Sequence, residues 1–129
     1  MIAVLAVTLG AMIGAPARSL IEQYIGRRYA SAGFPLALSI VNITGSLLAG
    51  FVVALTTGDL QLFLVMGLAG AFTTFSGWAL AISTGFKIRR TTLSLAPALA
   101  WVVGVGLGVL VICVAAAYIG TVLGDLIAG

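Results

Sequence analysis

Between residues 92 and 123 the chain carries no Asp, Glu, Lys or Arg. About 20 apolar residues are enough for a helix to cross the hydrocarbon core of a bilayer, so this run spans a membrane with length left for tilt or protrusion. Three further segments qualify on the same ground, and the first continues past its apolar part as an amphipathic helix through Arg18, Glu22 and Tyr24. The four spans are about 2–24, 34–57, 60–84 and 92–123, joined by short connections. The 129 residues are expected to form one four-helix transmembrane domain, an all-α membrane protein. Composition points the same way, because only 7% of residues are charged, against about a quarter in soluble domains.

The net charge of +3 does not mark a nucleic-acid partner. The basic residues lie in clusters at span ends, where membrane lipid headgroups account for them. Arg27 and Arg28 fall between the first and second spans, and Lys87, Arg89 and Arg90 between the third and fourth. The other side carries the amino terminus, Asp59 and Asp125. Excess Lys and Arg marks the cytoplasmic side, which predicts a multi-pass protein of the cell (inner) membrane with both termini outside. The chain has no His, and Cys113 stands alone in an apolar run, so neither a disulfide framework nor a metal motif is present. No His, Asp or Cys cluster supports acid–base or nucleophilic chemistry, which argues against an enzyme. The first apolar run lacks a basic leader and reads as a retained span rather than a signal peptide.

Small residues recur four apart at Gly10 and Gly14, Ser46 and Gly50, Gly104 and Gly108, and Gly120 and Gly124. This spacing lets helix backbones approach closely in lipid and predicts packing within the bundle or in an oligomer. Four spans make a bundle too thin to enclose a wide pore, so an oligomer is expected.

Few polar groups lie at membrane depth. Asn42, in VNITGSLLAG, must find a partner there. The residues alone leave two readings open: an interhelical hydrogen bond, or an amide donor to an anion. Arg18 reads either as a snorkelling side chain or as a positive charge at a vestibule mouth that concentrates anions. Glu22, four residues on, is placed to pair with it. No Asp or Glu lies in the middle of a span, which counts against proton-driven transport.

The third span contains GLAGAFTTFSGW, residues 67–78. Its glycines and the hydroxyls of Thr73, Thr74 and Ser76 permit a helix break near the membrane centre, where freed backbone groups must be satisfied by protein, water or an ion. Broken helices are where transporters place ion sites. Alternatively, the hydroxyls bond back to carbonyls one turn earlier. Phe72, Phe75 and Trp78 recur at every third position, nearly one helical face. From periodicity alone they are a packing or lipid-facing stripe. Their electropositive ring edges also suit a small anion.

These segments resemble the Fluc (CrcB) family of fluoride channels. GAMIGAPAR, residues 10–18, is similar to the family's first-span motif, VNITGSLLAG to its second, and GLAGAFTTFS to its broken third span; the resemblance covers essentially the whole chain. It implies an antiparallel, dual-topology dimer with two narrow pores that pass fluoride passively, letting the anion trapped in the cytoplasm leave and so conferring fluoride resistance. It also implies a structural sodium ion held by backbone carbonyls at the two third-span breaks. By position, Asn42 and Phe75 match pore residues, Arg18 the vestibule arginine, and Gly70 and Thr73 the sodium-binding carbonyls. Ser76 and Trp78 fall in the same pore segment.

The chain departs from the family where TTFSTF is usual and TTFSGW stands: Gly77 lacks a hydroxyl and Trp78 replaces the second box phenylalanine with a larger ring bearing an N–H. The fourth span has Trp101, Gly104 and Gly108 where the family often carries a hydroxyl track. A subunit that inserts both ways should have balanced loops, and this one does not. The partner is a second copy, in a homodimer, or an oppositely oriented homologue, in a heterodimer; the bias points to a single orientation and to the heterodimer. Two other functions have signatures of their own. A small multidrug-resistance-type exporter should carry a glutamate within its first span, and residues 2–17 have none. A structural, non-conducting subunit of a heterodimeric channel is compatible with Gly77 and Trp78.

Overall fold

The computed structural model describes residues 1–28 and 34–129, which contain four helices long and apolar enough to cross a membrane. Helix α1 is Ile2–Arg28 and α2 is Leu36–Leu55. The third span is in two parts, α3 (58–72) and α4 (Phe75–Arg90), and the fourth is α5, Leu95–Ala128. Among the described residues no strand is present. Arg27 and Arg28 form the last turn of α1, and the short connection that follows lies outside the described residues.

The spans pack as two parallel pairs. At Gly14 a Cβ would strike the Leu68 carbonyl and crowd the Phe72 amide, and at Gly10 it would strike the Phe63 carbonyl. Successive turns of α1 therefore meet successive turns of α3 in the same direction. In the second pair, Gly50 of α2 lies against the Ala117 backbone of α5, and Gly120 against the Leu47 carbonyl. Lipid supplies no hydrophobic force between helices, so close backbone approach at small residues is what holds such pairs. The sequence pairs Gly10/Gly14 and Gly120/Gly124 serve this role. Gly104 and Gly108 have nothing within 4 Å of where a Cβ would stand, so they serve no contact inside this chain.

Parallel pairing puts the carboxy-terminal ends of α1 and α4 at one end of the bundle, and with them the basic residues. There the Arg89 guanidinium lies 3.8 Å from the centre of the Trp101 ring, a cation–π contact that ties α4 to the start of α5.

The third span changes character twice. Leu62–Ala69 is π-helical, and the Gly70 amide bonds back to the carbonyls of Val65 and Gly67. Such wide turns are rare and often mark functional segments. The helix resumes for Gly70–Phe72 and then stops. Thr73 (φ −76°, ψ 154°) and Thr74 (φ −149°, ψ 119°) are extended, and α4 begins at Phe75. The expected break is present, two residues wide.

Candidate functional site

An extended dipeptide inside a helix strands backbone groups on both sides. Three side chains take them up. Asn42, on α2, accepts from the Thr74 amide through Oδ1 at 2.8 Å and donates through Nδ2 to the Thr74 carbonyl at 3.1 Å. One carboxamide thus satisfies both main-chain groups of Thr74. From α1, the Arg18 guanidinium donates to the Ala71 carbonyl at 3.2 Å. That places positive charge at the carboxy-terminal end of α3, the favourable end of a helix dipole. Arg18 also lies 3.5 Å from Glu22 one turn on. Thr74 caps α4 itself, its hydroxyl accepting from the Gly77 amide at 3.2 Å.

Gly77 has a local reason to be glycine, since a Cβ would crowd the capping Thr74 side chain at 3.2 Å. The Thr73 hydroxyl bonds back to the carbonyls of Ala69 (3.1 Å) and Gly70 (3.3 Å), as such residues do in membrane helices.

Beside the break lies a groove of about 540 Å³ between α2, α4 and α5. Asn42, Ser46, Thr73, Thr74, Phe75 and Trp78 line one side, and largely apolar residues of α5, with Cys113, the other. Phe75 is 80% exposed in the single chain, and its ring lies 6.3 Å from that of Trp78 with a 39° tilt. The Trp78 indole nitrogen is buried and has no hydrogen-bond partner among the described residues. Its six-membered ring reaches α5 at Gly106, where a Cβ would stand 3.6 Å away.

The structure therefore brings Asn42, Phe75 and Trp78 together in one groove. Ser76 is exposed in the first turn of α4 and does not line it. Arg18 sits on the other side of the break. Phe72 belongs to neither, because the break destroys the helical register that puts it on a face with Phe75; it packs instead near Gly45 of α2.

Gly70 and Thr73 stand at the break. Gly70 is exposed, and a Cβ there would meet only the Val65 carbonyl at 3.5 Å. The Thr73 hydroxyl donates to the Gly70 carbonyl at 3.3 Å, which leaves a second lone pair on that oxygen. Carbonyl oxygens suit a hard cation, so this donor set fits a sodium ion.

Residues 5–121 match the family model described as CrcB-like protein, Camphor Resistance (CrcB). A fluoride-specific ion channel FluC 1 of Ligilactobacillus salivarius is 36% identical over 122 residues, covering 93% of this chain and 97% of that protein. A fluoride-specific ion channel FluC 2 of Staphylococcus epidermidis is 47% identical over 78 residues, 59% of this chain and 66% of that protein. A FluC of Ruminiclostridium cellulolyticum is 41% identical over 86 residues, 62% of this chain and 65% of that protein. In these last two matches the chain spans just under two thirds of the relative's length.

Proposed function

The chain belongs to the CrcB-like family, and from that premise we propose that it is one subunit of a passive, fluoride-selective channel. The observation that carries the reading is the groove at the break, lined by a carboxamide and an aromatic ring and by no charged residue. Asn42 spends its oxygen and one N–H on Thr74 and keeps a second N–H for an anion. Phe75 presents a ring whose edge is electropositive. Neither group binds fluoride as tightly as a cationic side chain would, and weak successive sites let an ion leave as readily as it enters.

Export follows from the gradient alone: fluoride that enters as neutral hydrogen fluoride dissociates in the cytoplasm, and a passive path lets the anion out. The working unit in this proposal is an antiparallel dimer with two pores. The partner is an oppositely oriented homologue, in view of the charge bias. Gly70 and Thr73 are the residues that would hold a sodium ion through their carbonyls, where it supplies fixed positive charge beside the break. A second reading, a subunit that completes its partner's pore without conducting through its own, draws on Trp78, whose large ring fills the end of the groove against Gly106.

Fluoride efflux from liposomes separates the two. The protein reconstituted with its oppositely oriented homologue is expected to release fluoride, the protein alone to release little, and Phe75→Ile to lower the release from the pair. Release from the pair that Phe75→Ile leaves unchanged selects the non-conducting reading.

A further inference from the structure

Most hydroxyls on the spans of this chain bond back to their own helix, and Ser46 does not. Thr8, Ser19, Ser39, Thr44, Thr56 and Thr121 each donate to the carbonyl four residues earlier. A back-bonded hydroxyl has spent its proton. The hydroxyl of Ser46, in the same helix as Ser39 and Thr44, makes no hydrogen bond among the described residues. Its oxygen is not among the buried unpaired atoms, so it keeps open surface, and the residue lines the groove.

Ser46 stands four residues after Asn42, one turn further along the same face of α2. Facing it across the groove are apolar residues of α5 and the thiol of Cys113. A donor left unpaired in such surroundings is unfavourable until it finds an acceptor.

We propose that the Ser46 hydroxyl donates to the permeating anion, one turn beyond Asn42, so that a fluoride ion leaving the carboxamide meets a second donor before it meets water. The assignment rests on the channel reading above. It differs from the packing role that the Ser46/Gly50 spacing implies. Gly50 performs that role, against the Ala117 backbone, whereas Ser46 borders open space.

Fluoride is the strongest hydrogen-bond acceptor among the halides and pays the most to shed water. A path across an apolar groove therefore needs donors spaced closely enough to replace its hydration shell in steps. A helical turn, about 5.4 Å, is such a step.

Ser46→Ala keeps the side-chain volume and removes only the oxygen. It is expected to lower fluoride efflux from liposomes roughly tenfold, the order expected for one lost hydrogen bond to a charged species, with unchanged elution and melting in detergent. Thr44→Ala, which removes a back-bonded hydroxyl from the same helix, is expected to leave efflux unchanged. A second readout does not depend on flux. With Cys113 replaced by alanine, Ser46→Cys is expected to react with a water-soluble methanethiosulfonate reagent in membranes, and fluoride to slow the reaction. Efflux from Ser46→Ala equal to that of the unmodified protein, or a Ser46→Cys thiol inert to the reagent, overturns the assignment. Absence of efflux from the unmodified protein, both alone and with its homologue, overturns the channel reading instead.

Discussion

At the scale of single residues, Asn42 carries the most. Its carboxamide satisfies a donor and an acceptor of Thr74, at a break where the helix itself supplies neither partner. Asn42→Ala leaves both unpaired and is expected to cost about 2 kcal/mol or more, read as a lower midpoint of thermal unfolding in detergent. Asn42→Asp keeps an acceptor for the Thr74 amide but turns a carboxylate toward the Thr74 carbonyl and the groove. It is expected to abolish fluoride efflux even in protein that folds, because the added charge repels the anion. Arg18→Gln removes the guanidinium from the Ala71 carbonyl and is expected to lower stability by about 1–2 kcal/mol, with the same melting measurement as the check. The sequence presented Asn42 with two readings, packing and anion donation. They turn out to be compatible, since one amide proton is spent on Thr74 and the other is not. That division was illegible in the sequence because the partner lies 32 residues away. The reach of Arg18 to Ala71 was hidden for the same reason: its separation is 53 residues.

At the scale of elements, the parallel pairs depend on a few backbone contacts. Gly14→Ala places a methyl against the Leu68 carbonyl. It is expected to destabilise the fold by about 1–3 kcal/mol, seen as a lower melting point and broader elution. Gly104→Ala meets nothing within the chain and is expected to leave its fold intact. A change in oligomeric state on size-exclusion chromatography would then report a contact made from outside. The two glycine pairs look alike in the sequence. Spacing says that close approach is possible and not which element approaches. The break, by contrast, was legible from Gly70, whose free backbone weakens a helix, and from Thr73 and Thr74, whose hydroxyls offer it alternative bonds. The π-helical stretch before it was not, because Leu62–Ala69 is composed of ordinary membrane-helix residues, and the close approach of α1 at Gly10 to this stretch comes from a distant part of the chain.

At the scale of the whole molecule, the four spans were legible from hydropathy, and the structure adds their pairing. Parallel pairing gathers Arg27, Arg28, Lys87, Arg89 and Arg90 at one end. If charge sets orientation, a tag at the carboxy terminus is expected to be accessible from outside in intact cells and protected from inside, with a single population by protease digestion. Moving the bias by Arg27→Gln and Arg28→Gln together with Asp59→Lys is expected to produce both orientations.

The clamps on the break come from α1 and α2, which precede it in the chain. Synthesis delivers segments in that order, so Arg18 and Asn42 have already entered the bilayer when the third span arrives. The discontinuity then need not be exposed to lipid with its main-chain groups bare, a state that would cost several kcal/mol for each such group. A permuted chain carrying the third span first would have the same contacts available at the end. It would have to pass through an insertion intermediate that this order of elements avoids.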